Sequence, residues 1–361
     1  MIFYRNALFV TYHSFRRLIP LLFSYLPSPV KVELYRLRGY DVSRSAWLSR
    51  GVILNCRRVR IGENVRIGPF SDFTAEELLI EDNVVFLGDV RVMSVSRLTA
   101  GEYTVFGKDL EVRGDPSEKY SLEIGQNCWV GPHVLIDTHR DVRIGNGTAI
   151  GDENMLWTHG FYAEELEGYP VNNGPVTIGN NCWFPPRVVV FPGVTVGDNA
   201  ILGTGAIVTK DVDGHAFTSG IPATRKMGED QYRRSLSTEA KLARAEEIFL
   251  ERVPLFKYRI EKVADHRFLV SRFDAKFLVC FVMEVDATLL ADVRARFPGG
   301  EIVVVAGTQI PAGVKELIGP DRKLSLFDFE TKTYRKLNTR GERAFKWALA
   351  PRYARFTYDL Y

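Results

Sequence analysis

Apolar residues recur every six positions through most of residues 124–213, a spacing that fits neither a helix nor an alternating strand. Each six-residue unit opens with an aliphatic or aromatic residue, and glycine often follows it. Asparagine or aspartate is common at the third or fourth place, and a small or β-branched residue at the fifth, which faces inward; Cys128 and Cys182 hold this fifth place and are expected to be buried. Typical units read IGQNCW, IGNGTA, IGNNCW, VGDNAI and LGTGAI, and a less regular block with units such as IGENVR and IEDNVV begins near residue 52.

This period predicts a short strand followed by a corner. The opening apolar residue points inward, while glycine with asparagine or aspartate supplies the unusual backbone angles of the corner. Three corners close a triangular coil of about eighteen residues, and stacked coils pair as parallel strands that bury one another's faces. The pattern therefore predicts a mainly β protein with a parallel β-helix over residues 46–228.

The repeat is interrupted directly after the motif WTHG, and the next unit starts only at Ile178. We therefore expect a loop insertion over residues 160–177, which can cover a cleft and exclude water. His159 is the fourth residue of its unit, and His139 is the fourth residue of an expanded unit one coil earlier. These two side chains are predicted to stack on one side of the coil, whereas His133 falls on another side.

The segment before the repeat, residues 1–45, is predicted to be helical. It holds no acid before Glu33, and its longest uncharged run, residues 18–30, is too short to span a bilayer. Its first basic residues are Arg5, Arg16 and Arg17. Two interpretations remain open: an amphipathic helix in peripheral contact with a membrane surface, or a helix that caps the end of the β-helix. We favour the cap, because a repeat domain needs one.

The region after the repeat, residues 229–361, is predicted to be a helix followed by a small α/β domain. Helical patterns cover residues 229–252, 286–297 and 339–350, and strand patterns cover residues 267–273, 276–283, 301–307 and 324–337. No catalytic motif is found there. A basic cluster comprises Lys332, Arg335, Lys336, Arg340, Arg343, Lys346, Arg352 and Arg355. It suits either an anionic acceptor or membrane surface or, as we favour, an ordinary solvated face.

Composition narrows the class of protein. Of the 361 residues, 46% are hydrophobic and 25% charged, which is ordinary for a globular protein, and the formal net charge of +3 gives no indication of nucleic-acid binding. The four cysteines are scattered without a CxxC pair, so neither a disulfide framework nor a structural zinc site is indicated. A reducing, cytoplasmic location is expected. If residues 1–45 contact a membrane, the protein would be attached to its inner, cytoplasmic face.

The stretch VTIGNNCWFPPRVVVFPGVTVGDNAILGTGAIVTKDV resembles the closing coils of the galactoside and maltose O-acetyltransferases and of related polysaccharide-biosynthesis sugar acetyltransferases. These are hexapeptide-repeat acyltransferases. A weaker resemblance covers roughly residues 30–225 and does not extend over residues 230–361. The resemblance implies a left-handed parallel β-helix, a homotrimer, and coenzyme A bound along the last coils between neighbouring subunits.

The same resemblance implies transfer of an acetyl group from acetyl-CoA, without a metal, to a hydroxyl or amine of a sugar, nucleotide-sugar or glycolipid acceptor in surface polysaccharide or glycolipid assembly. The family carries its catalytic histidine in this T-H position, before a loop that returns into the sequence GPVTIGNNCW. His159 would therefore be the general base, a role suited to imidazole near neutral pH. His139 would tune the base, bind the acceptor or be a spectator.

Six residues are implied in binding coenzyme A. They are Trp183, Gly203, Gly205, Thr209, Lys210 and Arg225. The two glycines would let the pantetheine chain approach the backbone, and the Thr-Lys pair would lie near the nucleotide phosphates. Arg225 stands one position later than the basic residue of the family, because Thr224 occupies that place.

One departure from the family pattern opens an alternative. The motif W-I-G-A/S becomes Trp183-Phe184-Pro185-Pro186 here, and Pro186 has no N–H where family members present one to the thioester carbonyl. The alternative is a non-catalytic β-helix, a scaffold or sugar-binding relative with a degenerate donor site. A zinc enzyme of the γ-carbonic anhydrase type would instead use three histidines, but the spacing of His133, His139 and His159 does not match that family.

Overall fold

A computed structural model describes residues 23–115, 117–160, 164–169, 171–318, 321–349 and 357–359. The described chain divides into two compact units at Tyr232. Residues 1–22 of the predicted helical segment lie outside the described residues, as do Arg352 and Arg355 of the basic cluster. No helix within the described ranges is long and apolar enough to cross a membrane.

The first unit is a parallel β-helix, as the six-residue period predicts. Its strands are β1 Asp41–Val42, β2 Trp47–Leu48, β3 Ile53–Ile61, β4 Arg66–Ile67, β5 Asp72–Ile80, β6 Val85–Phe86, β7 Arg91–Ala100, β8 Val105–Phe106, β9 Glu111–Arg113, β10 Ser121–Ile124, β11 Trp129–Val130, β12 Leu135–Asp137, β13 Val142–Ile144, β14 Ala149–Ile150, β15 Met155–Leu156, β16 Val176–Ile178, β17 Trp183–Phe184, β18 Val189–Val190, β19 Thr195–Val196, β20 Ile201–Leu202, β21 Ile207–Val208, β22 Ala216–Ser219 and β23 Thr224–Gly228.

The coils have three sides. Side 2 is a separate ten-stranded sheet with the order β2-β4-β6-β8-β11-β14-β17-β20-β22-β23. Sides 1 and 3 belong to a thirteen-stranded sheet. Side 1 is formed by β1, β10, β13, β16 and β19, and side 3 by β9, β12, β15, β18 and β21, while the long strands β3, β5 and β7 bend from side 3 into side 1. All pairs are parallel except β22 with β23, which closes the last coil as an antiparallel hairpin.

The three corners differ in length. From side 1 to side 2 and from side 2 to side 3, buried residues recur every six positions, as in Ile61, Ile67 and Phe73. From side 3 to side 1 the step varies. The number of residues between successive buried positions is smallest from Val190 to Val196. It increases from Leu54 to Ile61 and from Ile136 to Ile144, and it is largest from Leu156 to Ile178. We call this third corner the variable corner and the other two the regular corners. The expectation of eighteen-residue coils is therefore right only for the last coils, because the variable corner accepts extra residues.

The regular corners are tightly nested. The fourth residue of a unit has a positive φ there, as at His133 with φ 56°, whose N–H donates to the Lys108 carbonyl of the preceding coil at 3.0 Å. A Cβ on Gly107 would lie 2.4 Å from the nitrogen of Pro132. The interior is apolar, and Cys128 and Cys182 are fully buried within it, as the register predicts.

Helix α1 (Ser28–Leu37) lies against the first coil. The Leu48 N–H donates to Ser28 Oγ at 2.8 Å, and the Leu54 N–H donates to Tyr35 Oη at 3.1 Å. Lys31 is fully buried, and its ammonium donates to the carbonyls of Ser24 and Ser49. Burial lowers the pKa of Lys31 to about 8. The helix thus supplies the hydrogen-bond partners that another coil would otherwise provide.

The second unit contains a seven-stranded sheet with the strands in chain order, β24 to β30. The strands are β24 Arg259–Ala264, β25 Arg267–Arg272, β26 Ala275–Val282, β27 Glu301–Ala306, β28 Leu324–Asp328, β29 Thr333–Arg335 and β30 Thr357–Asp359. Within the described residues, the remaining helices are α2 Glu229–Tyr232, which ends the first unit, α3 Thr238–Arg252, α4 Ala287–Arg296, α5 Ala312–Ile318 and α6 Arg340–Leu349, with 3₁₀ turns at Glu165–Glu167 and Val253–Phe256.

Strands β26, β27 and β28 are parallel and are joined by α4 and α5, so this unit has the α/β character that the sequence predicts. Three details differ from the prediction. The helix predicted over 229–252 is two helices, and the strand predicted over 324–337 is a hairpin of two strands. The edge strands β24 and β30 and helix α5 were not predicted.

Candidate active site

The variable corner gathers an aspartate, a threonine and two histidines from two successive coils. Asp137 ends strand β12, while Thr158 and His159 follow strand β15, which pairs with β12. Neither His139 nor His159 adopts the positive φ found at the regular corners. The expanded corner thus carries side chains in a geometry that the six-residue repeat does not provide.

Asp137 is at the centre of this group and is only 1% exposed. Its Oδ1 accepts hydrogen bonds from the Thr158 N–H at 3.1 Å, from the Thr158 hydroxyl and from His159 Nδ1 at 2.9 Å. Its Oδ2 accepts from His139 Nδ1 at 2.7 Å. Burial by itself would raise the pKa of Asp137, but the hydrogen bonds from Thr158, His159 and His139 outweigh it and the pKa is lowered.

This arrangement decides the tautomer of both imidazoles. An ionised carboxylate can only accept, so each Nδ1 carries the proton and each Nε2 of a neutral ring is left as an acceptor. The ring centroids of His139 and His159 are 4.2 Å apart, which confirms the predicted stacking. The side chains remain 31% and 38% exposed, so both Nε2 edges are accessible.

Sequence reasoning missed Asp137. The available signal was its place in the expanded unit IDTHRDVR, two residues before His139. Its contact with His159, however, depends on the stacking of one coil on the next, and the repeat length does not fix which side chain of the earlier coil lies beneath it.

An open, mainly apolar cavity of about 600 Å³ lies on the later-coil side of His159. Its lining comprises Trp157, His159, Gly160, Asn172, Val189, Phe191 and Pro192. The Trp157 ring stands edge-on to His159, with centroids 5.9 Å apart. His159 also forms a bridge with Asn173, which closes the base of the predicted insertion. The loop therefore leaves the coil at the site, with residues 161–163 and 170 outside the described ranges.

The earlier-coil side of the histidine pair is polar. The guanidinium of Arg140 pairs with Glu118 at 2.9 Å and stacks on the ring of Tyr120 at 4.8 Å. Hydrogen bonds from the hydroxyl and the N–H of Ser117 lower the pKa of Asp115 on the same side. The candidate site thus has a polar side and an apolar side, with His159 between them.

Asp137, His139 and His159 also form a set of metal-ligand types, with one ligand atom of each within 4.8 Å of the others. A bound zinc ion would lie about 2.0–2.2 Å from each ligand atom, and the ligand lone pairs would point at it. Here the two Nδ1 atoms instead lie at hydrogen-bond distance from the carboxylate. The donor set fits a hydrogen-bonded assembly better than a metal site. His133 lies on a regular corner with its Nδ1 3.8 Å from Asp109, so one chain does not bring the three histidines together.

The residues implied in donor binding are spread over other parts of the last coils. Trp183 points outward from side 2 and is 53% exposed. Thr209 and Lys210 are exposed at the variable corner, two coils after His159. The guanidinium of Arg225, in β23, lies 3.2 Å from Asp213. Within one chain, the structure brings together only the two histidines of the predicted site.

Gly203 and Gly205 stand on a regular corner for different reasons. A Cβ on Gly203 would lie 2.3 Å from the Cβ of Ser219, so the packing of the next coil already requires glycine there. Gly205 has a φ of 69°, and nothing lies within 4 Å of the position of its Cβ. Only Gly205 leaves open space for an approaching ligand.

The Pro185-Pro186 segment forms the preceding regular corner. The Pro186 carbonyl accepts from the Gly205 N–H at 3.1 Å, and the Arg187 N–H donates to the Asp152 carbonyl at 3.0 Å. The Val188 N–H donates to Asn154 Oδ1 at 2.6 Å. The amides beside the two prolines are therefore already engaged within the chain.

Comparison with known proteins identifies the family. The protein-family model described as bacterial transferase hexapeptide (six repeats) matches residues 175–210 of this chain. The chain is 31% identical over 138 residues to the galactoside O-acetyltransferase of Escherichia coli K12, covering 32% of this chain and 67% of that protein. The chain belongs to the hexapeptide-repeat acetyltransferase family. The predicted family and its left-handed parallel β-helix are thus confirmed.

Other acetyltransferases of the family show the same extent of similarity. The putative colanic acid biosynthesis acetyltransferase WcaF of Escherichia coli K12 is 32% identical over 121 residues, covering 32% of this chain and 65% of that protein. This chain thus spans about two thirds of the length of these relatives. Among solved structures, a hexapeptide-repeat acetyltransferase of Vibrio cholerae O1 in complex with acetyl coenzyme A aligns at 18% identity with a TM-score of 0.31, covering 36% of this chain and 69% of that chain.

Proposed function

We propose that this acetyltransferase moves the acetyl group of acetyl-CoA to a sugar hydroxyl, with His159 as the general base. The observation that carries this proposal is the hydrogen bond of 2.9 Å between His159 Nδ1 and the buried carboxylate of Asp137. This bond leaves Nε2 as the proton acceptor at the edge of an open cavity. A base whose second nitrogen is fixed by a third group is the arrangement that nucleophile activation requires.

In the proposed reaction, His159 Nε2 removes the proton of the acceptor hydroxyl while its oxygen attacks the thioester carbonyl. The resulting imidazolium is stabilised by the charge of Asp137. As the tetrahedral intermediate collapses, the C–S bond breaks, and the imidazolium returns its proton to the leaving thiolate of coenzyme A. The products are an acetyl ester and free coenzyme A. The apolar wall of Trp157, Val189 and Phe191 limits access of water to the thioester.

The proposed donor site needs a second copy of the chain. His159 lies on the variable corner, while Gly205 lies on a regular corner and Trp183 on side 2. A contact between different surfaces of two copies closes into a ring when the rotation is that of a trimer. In such a homotrimer Trp183, Gly205, Thr209, Lys210 and Arg225 would contact coenzyme A, with the cations near its phosphates.

The outer surface of side 2 supports this assembly. Its outward column is almost wholly apolar, and it comprises Trp47, Arg66, Val85, Val105, Trp129, Ala149, Trp183, Ile201 and Phe217. The corresponding column of side 1 is mostly polar, and it comprises Asp41, Arg60, Leu79, Thr99, Glu123, Arg143, Thr177 and Thr195. An apolar stripe of this length suits an interface between subunits.

Sedimentation equilibrium tests the assembly. Trp183→Arg places a charge in the apolar column, whereas Thr177→Arg places the same charge on side 1. We expect a trimer for the wild-type protein and for Thr177→Arg, and a monomer for Trp183→Arg. A trimer that survives Trp183→Arg with unchanged affinity would exclude side 2 as the interface.

The activity is tested by calorimetric titration of acetyl-CoA and by release of the coenzyme A thiol in the presence of methyl β-D-galactopyranoside. This sugar is a probe suggested by the galactoside O-acetyltransferase relative. We expect binding of acetyl-CoA and thiol release that depends on the sugar. Absence of acetyl-CoA binding, with an active family member as the control, would overturn the proposal.

A second candidate function is a non-catalytic scaffold or sugar-binding protein. The Pro185-Pro186 corner favours it, because Pro186 has no N–H and the amides of Arg187 and Val188 are engaged. An oxyanion donor typically contributes about 3 kcal/mol in acyl transfer. Sugar-dependent thiol release that disappears in His159→Ala would rule out this candidate.

A further inference from the structure

The pairing of two imidazoles on one carboxylate assigns a role to the second histidine. We infer that His139 binds the acceptor by accepting a hydrogen bond from a hydroxyl adjacent to the one that reacts. The acceptor would then be a sugar with hydroxyls on neighbouring carbons, a vicinal diol. The inference rests on the proposed function, because it places the acceptor against His159.

The first step is the tautomer of His139. Its Nδ1 lies 2.7 Å from Asp137 Oδ2, while His159 Nδ1 lies 2.9 Å from Oδ1 of the same carboxylate. Asp137 also accepts from the N–H and the hydroxyl of Thr158, so it acts only as an acceptor. The neutral ring of His139 therefore presents an unprotonated Nε2, as the ring of His159 does.

The second step is the spacing of the two acceptors. The ring centroids are 4.2 Å apart, and both side chains are about one third exposed, at 31% and 38%. Each Nε2 can accept from a hydroxyl oxygen at about 2.8 Å. Two hydroxyls on adjacent carbons of a sugar ring are close enough to reach two neighbouring acceptors at once, whereas a single hydroxyl leaves one acceptor unused.

The third step is the side from which the acceptor enters. His139 belongs to the earlier coil, where Arg140, Glu118 and Tyr120 make the surroundings polar. The later coil supplies the apolar wall at Val189 and Phe191. A polyhydroxylated acceptor matches the polar side, which leaves the apolar side to the thioester. His139 would then hold the acceptor in register while His159 removes the proton.

The test separates the two nitrogens of His139. In His139→Asn the side-chain amide can still donate to Asp137, but the distal acceptor is lost. In His139→Gln an amide oxygen can reach the place of Nε2, but the donor to Asp137 is lost. The acceptors are methyl β-D-galactopyranoside and its monodeoxy analogues, each of which lacks one hydroxyl, and thiol release gives kcat and KM for each pair.

We expect His139→Asn to raise the KM for the parent sugar about tenfold, with kcat changed less than about threefold. One deoxy analogue should raise the wild-type KM by a similar factor, and the same analogue should cause no further increase in His139→Asn. His139→Gln should recover part of the loss in KM. The inference is overturned if the KM factor from His139→Asn and the KM factor from the missing hydroxyl multiply when they are combined. It is also overturned if His139→Asn raises the KM by the same factor for every acceptor.

Failure of the proposed function is distinguishable from failure of this inference. If the wild-type protein transfers acetyl to none of the sugars, the proposed reaction fails. NMR titration of the parent sugar then tests His139 directly. Binding about tenfold weaker in His139→Asn supports the inference, and equal binding by the two proteins refutes it.

Discussion

The regular corners and the variable corner of the β-helix follow different rules. At a regular corner six residues separate successive buried positions in coil after coil, because a glycine of one coil nests against the backbone of the next. At the variable corner of the early coils, one bent strand such as Ile53–Ile61 continues from side 3 to side 1. In later coils a loop of varying length connects the two sides. The fold thus fixes two corners and leaves the third free to carry chemistry.

Two histidines make the consequence concrete. His133 and His159 are both the fourth residue of a six-residue unit. His133 occupies a regular corner with positive φ, and its side chain is 61% exposed beside Asp109, whose side chain is 53% exposed. His159 occupies the variable corner and bonds to a carboxylate that is 1% exposed. The same place in the repeat gives a solvated side chain at one corner and an oriented one at the other.

Removing each histidine tests this contrast, and the effect should be the largest of the set. We expect His159→Ala to lower kcat by about 10³-fold, because the attacking hydroxyl loses its base. His133→Ala should change kcat by less than about twofold, since it faces solvent away from Asp137. Thiol release from acetyl-CoA measures both, and calorimetry should give unchanged acetyl-CoA binding. Comparable activity of the two variants would remove the functional distinction between the corners.

Insertions test whether the regular corners tolerate extra length. A Gly-Ser insertion between Lys108 and Asp109 should lower the free energy of unfolding by about 3 kcal/mol or more, because it displaces nested backbone and its hydrogen bonds. The same insertion after Gly168, in the exposed part of the loop, should cost less than about 1 kcal/mol. Chemical denaturation gives both values. A similar loss at the two places would mean that corner length is not set by nesting.

Much of the fold could be predicted from the six-residue period. It places the inward residues, including Cys128 and Cys182, and the stacking of His139 on His159. It could not predict the contact of Asp137 with His159, because that contact joins two coils whose corners both depart from the repeat. The period also cannot show that Ser219 of the next coil occupies the space where a side chain at position 203 would lie.

The second unit was harder to predict, because its patterns are short and local. Strand β24 (Arg259–Ala264) is exposed along most of its length, so it lacks the apolar alternation by which strands are identified. The apparent single strand over 324–337 is interrupted at Lys332, which has a φ of 58° and turns the chain back on itself. Asparagine and glycine mark such turns in sequence, but lysine does not.

Neutralising the shared carboxylate tests how the variable corner acts on its histidines. Asp137→Asn keeps the shape of the side chain, but its amide nitrogen donates where an oxygen accepted, so at least one imidazole loses its partner or changes tautomer. We expect kcat to fall about 10²-fold, less than in His159→Ala because the base remains. Unchanged kcat would show that Asp137 has only a structural role.

The same variant should change the response of stability to pH. The pKa of Asp137 is lowered in the folded protein, so its contribution to stability is present above the ordinary carboxyl pKa of 3.8 and is lost as the pH falls through the folded value. The difference in free energy of unfolding between the wild-type protein and Asp137→Asn should therefore shrink below pH 3.8. Urea denaturation across this range measures it, and a constant difference would contradict the assignment.

The smallest effects are expected at the two glycines of one regular corner. Gly203→Ala should lower the free energy of unfolding by about 2 kcal/mol, because the new methyl group would overlap Ser219 in the next coil. Gly205→Ala should cost only about 1 kcal/mol, because the positive φ of 69° is strained but the space is open. Urea denaturation separates the two losses. If Gly205→Ala were the more costly, backbone conformation rather than nesting against the next coil would hold the regular corners at six residues.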